Sequence, residues 1–228
     1  MKLAPAIIIF DVDGVLVDVR GSFHRSTVQT VQHFTGRRVS MREIHRWKNQ
    51  SGYNDDWKLT TDWICSLGVP ATYPVVKRQF MKFYWGNGTD GNVARERWLV
   101  SRVLLRRLAR RAELAIFTGR TLRELRHTFA RFSARPYFLR IVTMDDVVRC
   151  KPDPEGLLRI LRGRDGASAL YLGDNVDDAL AARAAGVPFL GVLPHDGQAR
   201  GARVAHLKEL GALAVLSNVN QLEDLLRL

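Results

Sequence analysis

Asp11-Val12-Asp13-Gly14 sets two carboxylates two residues apart, directly after the apolar run Ala6 to Phe10. If that run is a buried strand, both acids leave its end toward one site, where one can attack and the other can shuttle a proton. Asp and Gly are also common turn formers, so the tetrapeptide alone reads equally well as a turn. Three further stretches change that balance. Thr118-Gly119 offers a hydroxyl and exposed backbone N–H groups ahead of a helical pattern, which makes either an anion cradle or an ordinary helix cap. Lys151 opens Lys151-Pro152-Asp153-Pro154, where two prolines stiffen the loop around a compact positive charge suited to a phosphate oxygen. Gly173-Asp174-Asn175-Val176-Asp177-Asp178 adds three more carboxylates. So many acids on one site require a cation, and hard oxygen ligands of this kind suit Mg²⁺.

The elements that must position these groups repeat one local pattern. Ala6 to Phe10, Glu113 to Phe117, Phe138 to Val142, Ala169 to Leu172, Val187 to Val192 and Ala212 to Leu216 are short apolar runs, each read as a strand. Helical patterns alternate with them, at Leu122 to Phe132, Ala179 to Ala185, around Leu207 and at Gln221 to Leu226. Strands alternating with helices imply an α/β fold with a doubly wound, Rossmann-like parallel sheet. Ligands of such sheets bind beyond the carboxyl ends of the strands, so Asp11, Asp13, Thr118 and Asp174 converge on one crevice.

Residues 20–92 depart from that pattern. Ser22 to Phe34, Met41 to Lys48, Asp55 to Leu67 and Pro74 to Tyr84 read as helices, separated by Gly36, Gly52, Gly68 and the Gly86-Asn87-Gly88 cluster. The expected organisation is a catalytic core of residues 1–17 and 93–228 carrying an inserted helical domain of residues 18–92. Four of the five tryptophans, Trp47, Trp57, Trp63 and Trp85, fall in the insert and are read as its own core.

The chain has 228 residues, 46% hydrophobic and 25% charged, which excludes a disordered tail or a disulfide-stapled miniprotein. No apolar stretch near its start approaches the roughly 20 residues needed to span a bilayer. Cys65 and Cys150 have no metal-ligand spacing, and Cys150 is read as a small packing residue. A reducing, cytoplasmic location is expected. The excess of 35 Lys+Arg over 23 Asp+Glu, a net charge of +12, raises the question of an anionic partner. Much of it sits at Arg102, Arg106, Arg107, Arg110 and Arg111, interleaved with Val100, Val103, Leu104 and Leu108, which reads as an amphipathic helix with a solvated basic face.

The four motifs, in this order and each after a strand, resemble those of the haloacid dehalogenase superfamily, in its helical-cap branch of phosphoglycolate phosphatase-like enzymes. That resemblance implies Mg²⁺-dependent phosphoryl transfer through an aspartyl-phosphate. Asp11 would be the nucleophile, and Asp13 would protonate the leaving oxygen and then activate water. Thr118 and the Gly119 backbone would hold the phosphoryl group, and Lys151 would neutralise its charge. The metal would be bound by the Asp11 carboxylate, the Asp13 carbonyl and Asp174, with Asp178 as a further ligand or support. Asp177 is also available, but the Ala-Leu-Ala-Ala that follows favours Asp178 by analogy with relatives. Carbon–halogen hydrolases of the superfamily lack an acid two positions after the nucleophile, so Asp13 argues for phosphate chemistry.

A small phosphomonoester such as phosphoglycolate, a sugar phosphate or histidinol phosphate would fit beneath a helical cap. The polar segment Lys48 to Asp55 is the expected specificity loop, and Arg20, His24, Arg46, Lys48, Asn54 and Arg120 are candidate substrate contacts. Arg120 could equally cap its own surroundings. Alternative readings are a phosphomutase of the same fold, or a phosphatase or binding protein acting on nucleic acid.

Overall fold

In the computed structural model, which describes residues 3–87, 90–194 and 200–226, all four residues of β1 (Ile7–Phe10) are buried. Gly88, named in the sequence as part of a turn cluster, lies outside the described residues. β1 pairs in parallel with β4 (Glu113–Phe117) on one edge and β6 (Ala169–Gly173) on the other. A parallel strand covered on both faces needs no polar alternation, which is why its sequence is a continuous apolar run.

β5 (Arg140–Val142), β7 (Phe189–Val192) and β8 (Ala214–Leu216) complete a six-stranded sheet of order β5-β4-β1-β6-β7-β8, parallel throughout. This is the doubly wound α/β sheet that the sequence implied. The chain moves outward from β1 through β4 to β5, then returns to the other side of β1 and moves outward again. Strand order therefore reverses between β1 and β6, and the crevice at the carboxyl ends of these two strands is where such a sheet takes its ligand.

Helices α5 (Arg102–Ala109), α6 (Leu122–Phe132), α7 (Glu155–Leu161), α8 (Val176–Ala184), α9 (Arg200–Glu209) and α10 (Leu222–Leu225) belong to the same unit. One core cluster joins Ile7 and Ile9 of β1, Phe117, Leu157 and Ile160 of α7, Tyr171, and Ala181 and Ala182 of α8. α7 sits so close to the sheet that a Cβ on Gly156 would stand 2.1 Å from a ring carbon of Phe117. α5 buries Leu104, Leu105 and Leu108 and exposes its arginines. Val103, expected on the apolar face, is 51% exposed, because the buried stripe runs through positions 104, 105 and 108 and leaves position 103 outside it.

The chain forms two compact units, Met1–Val17 with Trp98–Leu228 and, separately, Asp18–Arg97. The second consists mainly of four helices, α1 (Phe23–Thr35), α2 (Met41–Lys48), α3 (Asp56–Ser66) and α4 (Tyr73–Trp85). Its core gathers Val31, Ile44, Leu59, Trp63, Ile64 and Val76. Local signals start these helices: Ser40 and Glu43 form a capping box on α2, and the Asp55 carboxylate accepts the Trp57 and Lys58 amides at the start of α3. β2 (Val17–Asp18) and β3 (Arg97–Trp98) pair as a two-stranded ribbon where the chain passes from one unit to the other.

Candidate active site

Beyond β1 the chain turns tightly, with the Leu16 and Val17 amides both donating to the Val12 carbonyl at 2.9 Å. Asp11 is 3% exposed at the start of this turn. Lys151, 4% exposed, reaches it from the loop before α7. Its Nζ donates to Asp11 Oδ1 at 3.0 Å, Asp178 Oδ1 at 2.7 Å and the Tyr171 hydroxyl at 3.1 Å. The three N–H donors of the ammonium thus meet three acceptors. The Tyr171 hydroxyl donates in turn to Asp178 Oδ1 at 2.7 Å.

Asp178 is held from both sides. Its Oδ2 accepts the Asp174 and Asn175 amides at 3.1 and 3.2 Å, and Asn175 Oδ1 accepts the Asp178 amide, closing a capping box on α8. Asp178, not Asp177, therefore joins Asp11 and Lys151. Asp174 approaches the same point: a carboxylate oxygen from each of Asp11, Asp174 and Asp178 lies within 4.8 Å of the others.

Burial pushes the Asp11 carboxyl well above the usual carboxylate range; Lys151 opposes this, and Asp178, Asp13 and Asp174 reinforce it. Burial works to lower the Lys151 ammonium, but Asp11 and Asp178 outweigh it and raise it above the ordinary lysine value. The donor set fits a hard divalent cation. It is all oxygen, and it gathers carboxylates of Asp11, Asp174 and Asp178 at one point, where Lys151 pairs with Asp11 and Asp178. Gly14 also leaves room for it: at φ 74°, a Cβ there would stand 2.2 Å from Asp174 Oδ2.

Asp13 points elsewhere. Its Oδ1 accepts Arg120 Nε at 2.8 Å and Nη2 at 2.6 Å. Arg120 was a candidate substrate contact, but its side chain is fully buried and spent on Asp13 and Thr128, so it belongs to the wall of the site. Thr118 is buried, its amide donating to Val142 O and its hydroxyl accepting the Arg120 amide at 3.2 Å. It does not cap a helix: α6 starts at Leu122 and is capped by Thr121 with Glu124. Thr118 directly follows β4, the strand paired with β1, and half-buried Gly119 is next in the loop.

The remaining candidates lie in the helical unit. There Arg20 is paired with Asp18 at 2.6 Å and Lys48 with Asp56 at 2.9 Å. The His24 ring stands edge-on to His45 at 6.0 Å, Arg46 is exposed, and Asn54 is partly buried. Cys150, read as a packing residue, is exposed instead, because it sits on the polar loop between β5 and α7, near Val148 at 87% exposure.

Three contributors were missed by the sequence reading. Tyr171 lies in an apolar strand and reads as core. Glu124 is buried at the first turn of α6, where burial lifts its carboxyl to about 7 against the Thr121 hydrogen bonds. Arg203, on α9, donates to the Asp174 carbonyl at 3.3 Å. The Thr121-x-x-Glu124 spacing is the one available signal among these, and it indicates a cap.

The chain is 32% identical over 195 residues to the imidazoleglycerol-phosphate dehydratase of Phytophthora nicotianae, a match covering 82% of this chain but only 43% of that protein. It is 24% identical over 190 residues to the phosphoglycolate phosphatase of Rhodobacter capsulatus, covering 82% of this chain and 84% of the relative. The solved structure of a predicted phosphoglycolate phosphatase from Haemophilus somnus superposes with a TM-score of 0.76 at 19% identity, covering 97% of this chain and 98% of the other. The model of the haloacid dehalogenase-like hydrolases matches residues 8–192, a span that holds Asp11, Thr118, Lys151 and Asp178 together, and the chain therefore belongs to that family.

Proposed function

We propose that the protein is a Mg²⁺-dependent phosphatase that hydrolyses a small phosphomonoester through an aspartyl-phosphate on Asp11, with the helical unit serving as its cap domain. The observation that carries this reading is the contact of Lys151 Nζ with both Asp11 and Asp178 at the carboxyl end of β1. It places a buried cation beside a carboxylate, with further carboxylates of Asp174 and Asp178 in reach.

Asp11 Oδ attacks phosphorus, and Asp13 gives a proton to the departing ester oxygen. Asp13 then takes a proton from water, which attacks the phosphoryl group and releases phosphate and free Asp11. Thr118 and the Gly119 amide hold the phosphoryl oxygens, and Lys151 neutralises the charge that develops on them. Asp11, the Asp13 carbonyl and Asp174 would hold the Mg²⁺, with Asp178 as a further ligand or as the support that holds the Asp174 and Asn175 amides. When bound, the metal supplies charge neutralisation and orients the phosphoryl group.

The substrate class is a small ester: phosphoglycolate, a sugar phosphate, or an imidazole-bearing phosphate of the kind named for the Phytophthora relative. The test is phosphate release from a panel of these esters, with and without Mg²⁺, by the wild type and Asp11→Asn. One ester turned over only with both the metal and Asp11 supports the proposal. Turnover that survives Asp11→Asn refutes it. Transfer between sugar hydroxyls without phosphate release would favour a mutase, and steeply salt-dependent binding to nucleic acid a polymer partner.

A further inference from the structure

Arg120 uses every polar part of itself to hold the site together. Its amide donates to the Thr118 hydroxyl at 3.2 Å, and its carbonyl accepts the Met144 amide at 3.1 Å. Nη1 donates to the Thr128 hydroxyl, which itself donates to the Glu124 carbonyl one turn earlier in α6. Nε and Nη2 both converge on Asp13 Oδ1. The guanidinium is fully buried, whereas the Asp13 side chain is 25% exposed.

We propose that Arg120 is a positioning residue for Asp13: it clamps Oδ1 in a fixed direction and leaves Oδ2 as the oxygen that exchanges the proton. The physical reason is geometric. A carboxylate on a loop rotates about two bonds, and proton transfer needs its oxygen within about 0.5 Å of the productive place. A planar guanidinium delivering two N–H groups to one oxygen removes that rotation, and a lysine ammonium, with its single point of contact, does not. Thr128 keeps the guanidinium from turning away. The backbone of the same residue steers Thr118, so one arginine sets the direction of both an acid/base group and a phosphoryl-holding group.

The proposal rests on the phosphatase reading for its kinetic consequence, so the test has one kinetic and one structural arm. Arg120→Met fills the same buried volume without hydrogen bonds, Arg120→Lys keeps the charge but loses the fork, and Thr128→Val releases only the far end. In the kinetic arm, Arg120→Lys and Arg120→Met lower kcat on the best ester by about 10- to 100-fold with KM changed less than about 3-fold, and Thr128→Val lowers it by a few-fold. The same changes placed on Asp13→Asn cost less than about 2-fold further, because the clamp has nothing left to direct. An equal loss in the presence and absence of Asp13, or no loss at all, overturns the proposal.

In the structural arm, a crystal structure of Arg120→Lys shows the Asp13 carboxylate rotated or in more than one conformer. An Asp13 that keeps its place in that structure overturns the proposal even if the wild type hydrolyses none of the esters. A rotated Asp13 in a chain without phosphatase activity leaves the clamp standing and removes only the reaction assigned to it.

Discussion

Lys151 and Asp11 form an ion pair in which both partners are out of water: Nζ and Oδ1 are 3.0 Å apart, with side-chain exposures of 1% and 4%. Removing one member of a buried pair strands the other, at a cost of roughly 3–5 kcal/mol. Lys151→Met strands two carboxylates, Asp11 and Asp178. It is expected to lose at least about 3 kcal/mol in urea unfolding without divalent cation, and Mg²⁺ returns part of that loss. An unchanged midpoint would show that the carboxylates are neutralised some other way.

Metal binding has its own signature. If the site binds Mg²⁺ as proposed, Mg²⁺ at about 100 times its dissociation constant is expected to stabilise folding by ~2.7 kcal/mol, a gain that EDTA reverses. Asp174→Asn abolishes the rise in Tm. Gly14→Ala does the same from outside the ligand set, because its Cβ would occupy the place of Asp174 Oδ2. A Mg²⁺-induced Tm rise equal to wild type in Gly14→Ala would mean that Asp174 is not a ligand.

Glu124 gives stability a pH dependence of known sign. Its carboxyl titrates at about 7 in the folded chain against an ordinary value of 4.5, because burial disfavours the charged form. Between those values the folded state holds one proton more than the unfolded state, so stability falls as pH rises through this window, by ~3 kcal/mol in total. Glu124→Gln stays neutral throughout. Its stability relative to wild type should improve by that amount between pH 4 and pH 8, measured as the shift in urea midpoint. A constant difference across the range would show that Glu124 does not titrate there.

Tyr171→Phe removes one hydroxyl that accepts from Lys151 and donates to Asp178. Each partner keeps other hydrogen bonds, so the cost is expected at about 1–2 kcal/mol, with kcat reduced several-fold and KM little changed. Calorimetry and steady-state kinetics on the same preparation check both numbers.

The acids of the site were legible in the sequence because each lies within a few residues of a strand end, where a short motif and a local period suffice to place it. Asp11, Thr118 and Asp174 come from three adjacent strands, and the alternation of strands and helices already required their convergence. The direction of a side chain was not legible. Asp13 is clamped by a residue 107 positions away, and nothing local to Thr118-Gly119-Arg120 says that the arginine turns inward. Tyr171 was hidden for the opposite reason, since a tyrosine inside an apolar strand is indistinguishable from packing until its hydroxyl is seen beside Lys151. β2 and β3, two residues each, are too short to carry any period.

β1 is hydrogen-bonded along both edges, whereas β5 and β8 at the margins of the sheet are three residues each. Local opening starts where few bonds must break, so amide protons at the margins should exchange with solvent well before those of Ile8 to Phe10. Asp11 thus follows directly on one of the interior strands, which are expected to open after the margins. A chain frayed at either margin would still present Asp11, so partial unfolding and loss of the proposed activity should be separable events in this molecule.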